Sequence, residues 1–216
     1  MKKILVSTSI LLLFTVMLRA QNTSFGFHAG TSIAKFTLKE DNVSYTMDNL
    51  LSVQAGFVAD LPLGKRISLQ PGLNFVQKGG KVSEEYGGVT EEQIMRINVI
   101  EIPVNVLFNT RGEKGNFFIG AGPAISFGMS GKSIYKYDGE EEKEKLKIGN
   151  NEDEDDIRGM DLGLNALAGY QFRSGIFIGA SYNIGLRNLV PGGDSDFGSA
   201  KSSYYGFRIG YMFGNK

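Results

Sequence analysis

The chain has 216 residues, with Cys 0, Trp 0, Gly 29, aromatic content 11% and a formal net charge of +0. That length suits one domain with room for a sizeable interior. The lack of cysteine excludes a disulfide scaffold, thiolate zinc and a cysteine nucleophile, the single histidine excludes a multi-histidine metal site, and balanced charge offers no basic excess for nucleic acid.

The first twenty residues read as a leader. Met1-Lys2-Lys3 is a basic start, and Ile4 to Leu18 is apolar apart from Ser7, Thr8, Ser9 and Thr15. Ala20 supplies a small residue before Gln21, although Leu18 stands where a second small residue is usual. The apolar run is about 15 residues against the roughly 20 of a spanning helix, so residues 1–20 are expected to be a secretory signal peptide rather than an anchor. No cysteine follows to carry a lipid. Its removal leaves 20 basic and 23 acidic residues.

Eight segments of period two follow. Phe25, Phe27, Ala29, Thr31 and Ile33 alternate with Gly26, His28, Gly30, Ser32 and Ala34. Leu51 to Leu61 alternates Leu51, Val53, Ala55, Phe57 and Ala59 with Ser52, Gln54, Gly56, Val58 and Asp60. Ile67, Leu69, Pro71, Leu73 and Phe75 form the third apolar face, and Ile100, Ile102, Val104, Val106 and Phe108 the fourth, opposite Glu101, Pro103, Asn105 and Leu107. Phe117, Ile119, Ala121, Pro123, Ile125 and Phe127 alternate with a run rich in glycine. Leu162 to Phe172 opposes Asp161, Gly163, Asn165, Leu167, Gly169 and Gln171. Ile176 to Leu186 opposes Phe177, Gly179, Ser181, Asn183, Gly185 and Arg187. Tyr205, Phe207, Ile209, Tyr211 and Phe213 enclose Gly206, Arg208, Gly210 and Met212.

The apolar face carries almost no charge over all eight, while the other face is glycine, serine, asparagine, glutamine and a few ions. A soluble sandwich would place large apolar groups inside and charge outside. Small residues here belong in a narrow lumen and the apolar face belongs to lipid, which demands a closed ring. The expected fold is therefore an all-β, eight-stranded antiparallel up-and-down transmembrane β-barrel over residues 21–216, in a bacterial outer membrane. Short connections at 62–65, 109–115 and 173–175 alternate with long ones at about 37–48, 79–92, 129–157 and 188–200, as periplasmic turns alternate with outer loops.

The motifs Glu101-Ile102-Pro103-Val104, Gly120-Ala121-Gly122-Pro123-Ala124-Ile125-Ser126-Phe127, Asp161-Leu162-Gly163, Gly169-Tyr170-Gln171-Phe172, Gly179-Ala180-Ser181-Tyr182 and Gly185-Leu186-Arg187-Asn188-Leu189 resemble the Bacteroidetes outer-membrane β-barrel family that includes the PorT-like proteins. The resemblance spans about 22–216. It implies a barrel, and one branch implies a tie to type IX secretion and gliding. The last strand also resembles the signal read by the barrel-assembly machinery, through Tyr204, Gly206, Ile209, Tyr211 and Phe213, although Gly214-Asn215-Lys216 follows where an aromatic often ends the chain.

Asp60, Glu101, Asp161, Arg187 and Arg208 fall on the inner face. Charges in a narrow lumen must be paired, so these five are expected to form an ion-pair network. His28 faces the same interior, and no serine–histidine–acid set accompanies it, so no catalytic residue is assigned. Gly120-Ala121-Gly122 continues into Pro123 with no helix to receive a phosphate, so no cofactor is assigned. Asp138 to Asp156 holds ten acids and three lysines but no calcium-loop register, and reads as a solvated outer loop. Asn22 and Asn42 lie in glycosylation-like triplets that mean nothing for a bacterial barrel. The expected role is non-enzymatic: a monomeric envelope scaffold or binding protein, in contact with outer-membrane lipid and the assembly machinery, that engages envelope or secretion proteins but no nucleic acid. A secretion accessory and a narrow pore are the alternatives.

Overall fold

The computed structural model describes residues 23–40, 43–86, 89–110, 112–192 and 198–214. The expected signal segment, Asn22 and Asn42 lie outside them. The chain forms β1 (Ser24–Glu40), β2 (Val43–Thr46), β3 (Leu50–Pro62), β4 (Ile67–Tyr86), β5 (Val89–Asn109) and β6 (Gly115–Tyr137). After these come β7 (Glu140–Leu146), β8 (Ile148–Gly149), β9 (Ile157–Arg158), β10 (Met160–Phe172), β11 (Ile176–Gly185) and β12 (Ser199–Phe213). Among the described residues no helix is long and apolar enough to cross a membrane, which says nothing of strands.

Eight of these strands make a ring. The order runs β10, β11, β12, β1, β3, β4, β5, β6, and β6 returns to β10. Every pairing around the ring is antiparallel. The seam joins the first and last strands from Phe25↔Phe213 to Lys39↔Ser199. Closure leaves no ring strand with a bare edge inside hydrocarbon, where an unmade backbone hydrogen bond has no water to satisfy it. This is the fold that the alternation called for.

The short connections are tight. Leu63 donates its amide to the carbonyl of Ile67, and Gly175 donates to Phe172 with Gly175 at φ +91°. That left-handed backbone favours glycine.

The long connections differ from expectation. Residues 79–86 and 89–92 are the paired ends of β4 and β5, in register from Gly79↔Arg96 to Tyr86↔Val89. Much of 129–157 is strand as well, since β6 runs to Tyr137 and β7 folds back on it. In sequence these stretches hide because most of their side chains are polar or charged on both faces, and the apolar contact of Ile94 and Ile134 with Leu50 is too short to mark an alternation. Their ladders are instead continued from the membrane strands below. The result is a four-stranded sheet of β4, β5, β6 and β7 standing beyond the ring. It leaves the barrel wall at a bulge, where Val99 faces Gly128 but Asn98 faces Ser130. One extra residue on β6 bends the strand and sharpens its twist there.

Lipid-facing side chains are exposed around the ring, among them Phe25, Leu51, Phe57, Phe117, Ile119, Leu164 and Ile209. Aromatic rings collect at the short-turn end, with Phe117–Tyr170 at 4.7 Å, Tyr170–Phe172 at 4.8 Å and Tyr211–Phe213 at 5.0 Å between centroids. Tyr182 and Tyr205 stack at 4.7 Å nearer the other end. Two such girdles bracket the apolar band of a membrane barrel.

Candidate functional site

The interior is built in layers, and sequence period two decides what enters it. At the short-turn end Val58, Leu107, Phe118, Leu167, Phe177 and Met212 pack into one apolar plug. Bulky inward groups sit beside residues with no side chain: a Cβ on Gly169 would meet Phe118, and one on Gly210 would meet Phe177. Glycine on the inner face is therefore what allows large residues into so narrow a ring.

Above this plug lies a polar layer. His28, Ser32, Ser52, Gln54, Asn74, Asn105 and Asn183 are all buried. His28 Nε2 lies 3.1 Å from Asn74 Oδ1, and Asn165 donates to Asn105 Oδ1 at 3.0 Å. The partner of His28 is an amide rather than a nucleophile, so it forms no triad.

A buried charge cluster comes next. Lys78 Nζ stands 3.3 Å from Glu101 and 3.6 Å from Asp161. It donates to Ser126 Oγ at 3.1 Å, and Ser126 donates to Glu101 at 3.1 Å. Ser202 donates to Asp161 at 2.9 Å, and Tyr204 donates to Glu101 at 2.6 Å. Lys78 and Glu101 are almost fully enclosed. Buried ions hold only when paired and hydrogen-bonded, and here six side chains share that work.

A second apolar layer, from Phe36, Val76, Ile97, Val99, Ile157 and Leu189 among others, caps the cluster. The gap between charges and cap is about 20 Å³, room for no more than one water. A similar gap of about 20 Å³ lies among Asp60, Gln70 and Arg208 at the other end. The polar layer and charge cluster thus lie between two apolar layers, with Asp60, Gln70 and Arg208 beside the lower one.

Of the five expected network residues, Glu101 and Asp161 come together, but through Lys78, which the sequence reading missed. Asp60 and Arg208 do not join them; they line the lower gap, and Arg208 lies 5.7 Å from the Phe177 ring. Arg187 is corrected outright: β11 ends at Gly185, so Arg187 lies past the ring strand and not in the lumen cluster. Tyr204 and Gly206, grouped with the assembly signal, face inward and are buried, whereas Ile209, Tyr211 and Phe213 face outward. Lys78 was detectable from parity, since Asn74, Val76 and Lys78 continue the inner face of β4 past Phe75.

Two surfaces remain. A shallow depression of about 880 Å³ lies on the ring wall around Ala29, Thr31, Ala168 and Ala180. It opens onto the apolar belt, so in a bilayer it meets acyl chains. The protruding sheet carries Tyr135 and Tyr137, both exposed, with Val82, Glu84 and Glu91 around a groove of about 390 Å³. Among the described residues no group of histidine, aspartate and glutamate is placed to hold a metal ion.

The family model described as outer membrane protein beta-barrel domain matches residues 19–191. Among solved structures the chain is similar to Ail, the attachment invasion locus protein of Yersinia pestis, at 15% identity over 89% of this chain and 100% of that one, with a TM-score of 0.42. It is similar to Neisserial surface protein A at 10% identity, over 87% and 96%, with a TM-score of 0.44. It is also similar to the N-terminal β-barrel domain of Pseudomonas aeruginosa OprF at 11% identity, over 89% and 98%, with a TM-score of 0.38. No curated protein matches the chain.

Proposed function

The chain belongs to the outer membrane protein β-barrel domain family, and from that premise we propose that it is a non-enzymatic anchor that presents its protruding sheet as a binding surface outside the cell. One observation carries this reading: the lumen is packed shut while a four-stranded sheet rises past the ring with both faces furnished with polar and charged side chains. A protein whose channel is filled with side chains has its chemistry at its rim. The same packing disfavours the pore. The apolar outward residues of β12 support insertion by the barrel-assembly machinery, and the motif Glu101-Ile102-Pro103-Val104 supports a place beside the PorT-like proteins of Bacteroidetes. The leader-like start at Met1 to Ala20 supports export, and the apolar belt supports a monomer surrounded by lipid.

Topology is the test. The chain has Cys 0, so each introduced thiol is unique. Ser83→Cys on the sheet should react with a membrane-impermeant maleimide on intact cells, whereas Ser174→Cys in a short turn should react only after lysis. The opposite pattern, or equal labelling, would overturn the outward presentation.

A further inference from the structure

The protruding sheet ends at β7, which pairs with β6 on one side and has no strand on the other among the described residues. Such an edge offers backbone donors and acceptors to an extended chain. The side chains of β7 are sorted by face. Glu140, Glu142 and Glu144 lie on one face, opposite Tyr137, Tyr135 and Ser133 in register. Glu141, Lys143 and Lys145 lie on the other, where Lys143 and Glu141 pair at 2.6 Å. The acidic face is the one that holds the tyrosine groove.

We propose that the open edge of β7 accepts an extended segment of another protein carrying arginine at every second residue. Added as a strand, such a segment puts all its arginines on the face of Glu140, Glu142 and Glu144. There a guanidinium can bridge carboxylates and lie against Tyr135 or Tyr137. A second copy of this chain does not fit. Two β7 edges paired antiparallel about a two-fold axis keep like faces together, so glutamate meets glutamate, and like charges directly opposite are destabilising. The charge pattern thus selects a partner of inverted alternation and rejects self-pairing.

This inference rests on the outward presentation proposed above, whose failure shows in the labelling pattern rather than in binding. The test uses the detergent-solubilised full chain and two fluorescent peptides of about eight residues. One alternates arginine and threonine; the other holds the same residues as an arginine block followed by a threonine block. The alternating peptide should bind about tenfold more tightly, and replacing Glu140, Glu142 and Glu144 together by Gln should erase that difference. Circular dichroism and an unchanged heat-modifiable gel band would show that the variant still folds. Equal binding of the two peptides would mean simple charge attraction and would overturn the strand model. So would absence of binding by either peptide, or an undiminished preference in the Gln variant.

Discussion

The hydroxyl of Tyr204 donates to Oε1 of Glu101 at 2.6 Å, tying β12 to β5 across the lumen. A hydrogen bond to a buried carboxylate contributes about 1.5–3 kcal/mol. Tyr204→Phe should therefore lower the unfolding free energy in urea by about that amount and leave the apolar belt untouched. No measurable change would show that Glu101 is fully satisfied by Lys78 and Ser126.

Among the described residues Lys78 is the one cation that pairs within the cluster, and it serves both Glu101 and Asp161. Lys78→Met should destabilise by about 3–5 kcal/mol, because it leaves two buried carboxylates without their cation. The triple change Lys78→Met, Glu101→Gln, Asp161→Asn should recover most of that loss. A triple variant as weak as the single one would mean that shape, rather than charge, holds this layer.

The apolar plug and cap lie in series. In planar bilayers the protein should show no stepwise conductance. Phe118→Ala with Phe177→Ala removes rings whose centroids are 6.4 Å apart. Each truncation should cost about 3–5 kcal/mol, yet the bilayer should stay silent, because the layer around Phe36 and Leu189 persists. Resolved openings of the unaltered protein would refute the plugged lumen.

Gly206 has a packing role that is separable from any assembly signal. A Cβ there would collide with the side chains of Gln54 and Ser181, not with backbone. Gly206→Ala should cost about 1–3 kcal/mol in refolding experiments, as overpacking does, and Ser181→Gly should relieve part of it. Normal refolding in vitro with lost insertion in cells would instead place Gly206 in the recognition signal.

The ring was readable in the sequence because lipid imposes a rule on every second residue. Phe25 through Phe213 obey it, and one wrong step would bury a phenylalanine and expose an asparagine. Where the membrane stops, the rule stops. Lys132, Tyr135 and Lys136 stand in a regular ladder, but with Ile134 the one buried apolar side chain among them, nothing in their order announces a strand. The same limit explains the cluster. Parity placed Glu101 and Asp161 inside, while Lys78 was overlooked because the reading of its strand ended at Phe75. Arg187 lies two residues past Gly185, where pairing with β10 ends, so strand parity no longer fixes its side.

The seam between β1 and β12 sets the order of events during biogenesis. The strand that completes β1 is the last in the chain, so until β12 is in place that edge of β1 has no strand partner. No intermediate short of the last strand can close the ring shown here.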